Sequence, residues 1–153
     1  MENNWHKTFL KITLLVAEHS KCSRLKVASL LVKDNRILST GINGTPQGTE
    51  NCQDHFKDID KTSESFYYDH HIFSEREEIH SEINAILFAA KNGVKINDTI
   101  LYITISPCIN CAKAILTAGI KEIYFIEKYD RNSEGFEYLI KNGIRIQQIT
   151  LED

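Results

Sequence analysis

The chain has 153 residues, 42% hydrophobic and 25% charged, with a formal net charge of -3 at pH 7. That length suits one domain able to bury a substantial core, and the acidic balance argues against a nucleic-acid binder, which carries a basic patch or stripe. No apolar run reaches membrane length. Met1 to Lys7 lacks the basic start and apolar core of a signal peptide, and four cysteines without a secretion signal point to a reducing, cytoplasmic setting and to metal or catalytic use.

Taken in order, Trp5, Phe9, Ile12, Thr13, Val16 and Ala17 recur at helical spacing and predict an amphipathic helix over 4–18. His6 and His19 fall on its solvated side. The apolar run Val27 to Val32 predicts a buried strand over 26–33. Asp34-Asn35 is a turn signal, and 36–40 is the partner strand of a hairpin. Residues 41–48 form a loop dense in glycine, either a tight connection or a binding loop that lets backbone approach a ligand. Residues 51–77 are polar and irregular, with Phe66-Tyr67-Tyr68 in their middle, and read as a long loop insertion.

A helix opens after Ile79, with Ile83, Ile86, Leu87 and Ala90 as its apolar stripe and Asn92-Gly93 as its end. A strand over 99–105 follows. The next helix begins at Cys108, turns Ala112, Ile115 and Leu116 inward and stops at Gly119. A strand over 121–126, a helix marked by Phe136, Leu139 and Ile140, and a last strand over 145–150 complete the chain. Alternating strands and helices in the second half imply parallel pairing, while the early hairpin is antiparallel. The expected fold is α/β: a mixed sheet of about five strands with helices on both faces, in one domain over 1–153.

Two short stretches carry the chemistry. They are His80-Ser81-Glu82 and Pro107-Cys108-Ile109-Asn110-Cys111. A catalytic zinc keeps three protein ligands and an open position for water, and His80, Cys108 and Cys111 supply three. The C-x-x-C spacing suits the first turn of a helix, where the dipole favours thiolates, and Pro107 stands where proline is tolerated. The alternatives are a closed structural zinc site and cysteines that are simply buried. The combined pattern resembles the zinc-dependent nucleobase deaminases. That resemblance implies that zinc activates a water for attack on ring C4. Glu82 then acts as proton shuttle, from the water to ring N3 and later to the departing amine.

Beyond the zinc motif, the chain resembles the deoxycytidylate (dCMP) deaminases of phages, bacteria and animals. The resemblance runs from about Cys22 to Asp130. It rests on Lys21-Cys22-Ser23, the stretch 39–46 with Gly48, Asn51-Cys52, the stretch 78–86, and Thr104-Ile105-Ser106-Pro107-Cys108. It implies the three-layer αβα fold of that superfamily and hydrolysis of dCMP to dUMP and ammonia, which feeds thymidylate synthesis. It also implies contact of Asn43 with the substrate sugar and of Ser23, Arg24 and Lys26 with the 5′-phosphate. Solvated surface charge is the alternative for Arg24 and Lys26. Ser81 stands where the family usually has alanine and Ala28 where it often has glycine; neither is expected to touch a ligand or the shuttle.

Some phage-type members hold a second, structural zinc, and Cys22, Cys52, His70 and Glu78 match its ligands. His71 competes with His70 for that role, and His55 is a weaker competitor. Such a site would pin both ends of the 51–77 loop and brace His80 through Glu78. The family further implies a hexamer activated by dCTP and inhibited by dTTP, with Mg2+ at the nucleotide and part of the effector site in the 41–48 loop. It implies action in the cytoplasm, that of the host if the chain is viral. The rival readings are another zinc deaminase, acting on cytidine nucleosides or a tRNA base, and a non-catalytic scaffold binding zinc or a nucleotide.

Overall fold

The structure is a computed structural model and describes residues 4–129 and 132–152. Asp130, where the family resemblance ends, and Met1 to Asn3 lie outside the described residues.

Five strands form one sheet in the order β2-β1-β3-β4-β5. The hairpin is β1 (Ala28–Lys33) with β2 (Arg36–Ile42), antiparallel, with Leu30 opposite Thr40. Asp34 and Asn35 both take positive φ at its two-residue turn, which is how such turns match the twist of their strands. β1 also pairs antiparallel with β3 (Ile100–Ile105), placing Leu30 opposite Tyr102. From β3 outward the pairing is parallel, to β4 (Glu122–Glu127) and then β5 (Arg145–Gln148), in register Leu101–Ile123–Ile146. The mixed sheet therefore arises as the alternation of strands and helices predicts.

Strand side chains alternate between two faces. On one, Leu30, Val32, Tyr102 and Tyr124 meet helix α1 (Asn4–Ala17). The buried stripe of α1 keeps the predicted Phe9, Thr13 and Ala17, with Ile12 and Val16 packed against the core, and adds Leu10 in place of Trp5. Phe9, Leu10, Thr13 and Ala17 are buried, whereas Trp5 is 49% exposed and stacks on Phe9. His6 joins this stripe at helical spacing and does not face solvent as expected: its Nδ1 lies 2.8 Å from the Tyr102 hydroxyl and its ring stacks on Tyr124. A polar ring is tolerated there because tyrosine hydroxyls lie beneath it. Burial holds His6 below its ordinary pKa, and its Nδ1 shares a hydrogen bond with the Tyr102 hydroxyl.

The other face carries Leu31, Leu101, Ile103, Ile123 and Phe125, packed with the buried residues of three helices. The segment 51–77 is not a loop. It holds a short helix, α2 (Cys52–His55), and a full one, α3 (Glu64–Glu77). Phe56, Phe66 and Phe73 gather there around Cys22 and Cys52 in a small core of their own. Ser63 caps α3, its hydroxyl accepting from the Phe66 N–H. The inward stripe of α3 is one residue wide, Phe66, His70 and Phe73, and the exposed Tyr67 and Tyr68 obscure it in the sequence.

Helix α4 (Ser81–Asn92) buries Ser81, Glu82, Ala85 and Ala89, not the expected Leu87 and Ala90, and Leu87 is 50% exposed. The reason is Gly41 on β2. A Cβ there would collide with the Ser81 carbonyl and the Ala85 amide, so the helix backbone rests directly on the sheet and its contact face must be small. Helix α5 (Ile109–Thr117) turns Ala112 and Ile115 inward as predicted. Helix α6 (Glu134–Lys141), marked in the sequence by Phe136, Leu139 and Ile140, buries Leu139 and leaves Ile140 exposed. Its Gly135 lies against the Pro107 carbonyl and the Cys108 backbone with no room for a Cβ.

Candidate active site

His80 is the N-cap of α4 and Cys108 the N-cap of α5, both with extended backbone. The two helix starts converge. His80 Nδ1 lies 3.5 Å from Cys108 Sγ and 3.3 Å from Cys111 Sγ. Donors held 2.0–2.3 Å from one centre at tetrahedral angles stand about 3.5 Å apart, so the three fit a zinc ion. They also share protons. The hydrogen bond with Cys111 holds Cys108 down to about 4 and pushes the buried Cys111 thiol far up in return. The bond to Cys108 raises His80 to about 9. A metal arriving here displaces those protons. The cluster is open on the His80 side and closed behind Cys111, the pattern of a site that keeps one coordination position free.

Glu82 is 4% exposed, and burial pushes its carboxyl above the ordinary range. Its Oε2 lies 3.3 Å from the Ser81 hydroxyl. The expectation that Ser81 touches neither ligand nor shuttle is therefore corrected: the hydroxyl points at the carboxylate because the first turn of α4 faces β1, where Ser29 waits 2.7 Å away.

A cavity opens over this centre, lined by Arg24, Asn43, His71, Glu75, His80, Glu82, Ser106, Cys108 and Tyr129, among others. Asn43 is largely committed. Its Oδ1 accepts from Ser20 and from the Val27 N–H, and its Nδ2 donates to the Leu25 carbonyl, leaving one amide hydrogen. Arg24 lines the cavity with its guanidinium 4.8 Å from the Tyr67 ring centroid. Lys26 is exposed, donates to the Glu18 carbonyl and does not line the cavity. Ser23 turns the other way, its N–H donating to Cys52 Sγ at 3.3 Å.

That sulfur belongs to a second cluster, Cys22, Cys52, His70 and Glu78. His70 Nε2 is 3.5 Å from Cys22 Sγ, again the separation of two ligands on one zinc. The bond with Cys22 lowers Cys52 to about 5 and raises Cys22 steeply. Glu78 accepts from Ser74 through one oxygen, and its other oxygen, Oε1, is buried without a partner. An orphaned buried carboxylate oxygen among two cysteines and a histidine is what a cation would satisfy. Three of the four are buried, so this cluster is closed. His71 lies outside it and faces the cavity. Ile79 joins the two clusters in the chain. It exchanges both backbone hydrogen bonds with Gly44, at 2.7 and 3.1 Å.

Sequence reasoning passed over Ser74, Glu75, Ser106 and Tyr129, and weighed His71 only as a ligand. Tyr129 follows β4 and its N–H donates to Ser106 Oγ, just beyond β3. Parallel strands present their carboxyl ends together, where ligands of open α/β sheets bind, so the inferred pairing of these strands was the available signal.

Residues 3–127 match the family described as the cytidine and deoxycytidylate deaminase zinc-binding region. The chain is 38% identical to the deoxycytidylate deaminase of Enterobacteria phage T2, with 91% of this chain and 89% of that protein covered. It is 32% identical to the human deoxycytidylate deaminase over 85% of this chain and 69% of that protein. A crystal structure of the dCMP deaminase from cyanophage S-TIM5, in complex with dCMP and dUMP, superposes with a TM-score of 0.80 at 30% identity, covering 97% of this chain and 99% of that one.

Proposed function

The chain belongs to the cytidine and deoxycytidylate deaminase family, and from that membership and the geometry of the cavity we propose that it converts dCMP to dUMP and ammonia. The carrying observation is the open triad His80, Cys108 and Cys111 with the buried carboxylate of Glu82 beside it on the cavity wall. The donors fit zinc, which when bound supplies a water acidified to a pKa of about 7. Glu82 takes a proton from the attacking water and passes it to ring N3 as the oxygen bonds to C4; it then takes the remaining proton of that oxygen and gives it to the exocyclic nitrogen, so that the C4–N bond breaks and ammonia leaves. Residues 1–153 act as one deaminase domain, and the product is the precursor for thymidylate synthesis.

Around that chemistry, Asn43 contacts the sugar through its free amide hydrogen and Arg24 the 5′-phosphate, which a guanidinium binds well; the position of both on the cavity wall supports this. Ser23 contributes through the Cys52 sulfur it touches, and Lys26 at most through long-range charge. The closed cluster of Cys22, Cys52, His70 and Glu78 holds a second, structural zinc; its unpartnered Glu78 oxygen supports this. Both clusters contain thiolates, which select zinc and not magnesium. The family resemblance extends the reading to a hexamer, to dCTP and dTTP as effectors with Mg2+ on the nucleotide, and to action in the cytoplasm.

The test is ammonia release from dCMP, CMP, dCTP, deoxycytidine and cytidine, each with and without dCTP plus magnesium. Turnover confined to dCMP is expected. Deoxycytidine turning over as fast as dCMP would discard the monophosphate assignment and leave the zinc chemistry standing.

A further inference from the structure

Glu82 must move a proton without moving far itself, and the structure shows what steadies it. Ser29 lies in β1, fully buried, paired on both sides by β2 and β3. It shares a sheet face with Leu31, the face on which α4 packs. Its hydroxyl is 2.7 Å from that of Ser81, itself 1% exposed, and Ser81 Oγ is 3.3 Å from Glu82 Oε2. The direction of these bonds follows from the acceptor. Glu82 Oε2 accepts from the Ser81 hydroxyl, which has one proton to give, so the Ser81 oxygen receives the proton of Ser29.

Two buried hydroxyls that only satisfied each other could be exchanged for two methyl groups with little effect on stability. The third member gives the pair a use. We propose that Ser29 and Ser81 are positioning residues, a buried hydroxyl relay that anchors one oxygen of Glu82 and leaves the other for proton transfer. Neither touches substrate. Ser81 acts on Glu82, and Ser29 acts on Ser81. This rests on the shuttle role given to Glu82 above.

Single and paired alanine substitutions test it, with zinc content, kcat, KM for dCMP and Tm measured for each. Ser81→Ala is expected to lower kcat about tenfold with KM and zinc content unchanged, the loss of one buried hydrogen bond to the reacting group. It also lowers Tm, because the Ser29 hydroxyl is left unpaired. Adding Ser29→Ala removes that orphan. The double variant then regains Tm but not kcat, whereas a purely structural pair regains both. A crystal structure of each variant reads the carboxylate directly: one Glu82 conformer in the parent chain, and a displaced or divided one in Ser81→Ala. Recovery of kcat in the double variant, or a Glu82 conformer unchanged in Ser81→Ala, overturns the relay. A parent chain inactive on dCMP overturns the proposed reaction instead, and the conformer of Glu82 still decides the relay.

Discussion

At the scale of single residues, the sequence placed His80 and Glu82 two apart, a spacing at which helical side chains do not face each other. The structure resolves this through the cap. His80 has extended backbone while Glu82 is already helical, so both reach the same point from one turn. That much was legible, because a cap followed by an acidic first turn can be read directly. Replacing Glu82 by alanine leaves the three donors in place, so Glu82→Ala should retain its zinc by metal analysis while turnover falls by about a hundredfold or more. Substantial activity in the metal-replete variant would remove the shuttle. The role of Asn43 was less legible. Its amide is bound mainly to the backbone of Val27 and Leu25, partners distant in sequence that no local pattern announces. Ser81 was likewise read as neutral, since its contact with Ser29 exists only once α4 lies on β1.

At the scale of elements, the strands, the two ligand-bearing helices and the inward face of α5 could be read from periodicity, whereas the contact face of α4 could not. Periodicity says that α4 has an apolar stripe, but the close approach permitted by Gly41 decides that Ala85 and Ala89 meet the sheet and Leu87 does not. The same glycine settles one question about the 41–48 stretch: its first residue belongs to β2 and serves helix packing. Forcing a methyl group there pushes α4 outward along with the residues at its start. Gly41→Ala is therefore expected to destabilise the fold by about 1–3 kcal/mol, measured by denaturant unfolding, and to lower zinc occupancy. Unchanged stability would mean that the helix can shift freely. Helix α3 escaped notice for a different reason. Its inward face includes His70, a residue whose burial depends on the cysteines of other segments and not on its own hydrophobicity.

At the scale of the whole molecule, the structure holds two donor clusters, one closed and one open. The closed cluster brings α2, α3 and the segment before β1 together, within the small apolar core of Phe56, Phe66 and Phe73. The open one sits where the carboxyl ends of parallel strands meet two helix starts. Between them runs Ile79, bound in both directions to Gly44. The consequence is thermodynamic reciprocity. If filling the closed cluster fixes this short span, it must tighten the open one by some factor, and filling the open cluster must tighten the closed one by that same factor. Chelator competition on Cys52→Ser should then show the remaining zinc held about 5–150-fold more weakly than in the parent chain, the usual range of such coupling. An unchanged affinity would mean that the two ions load as strangers. A matched loss means that, when zinc is scarce, singly loaded molecules are rarer than two independent sites would leave them.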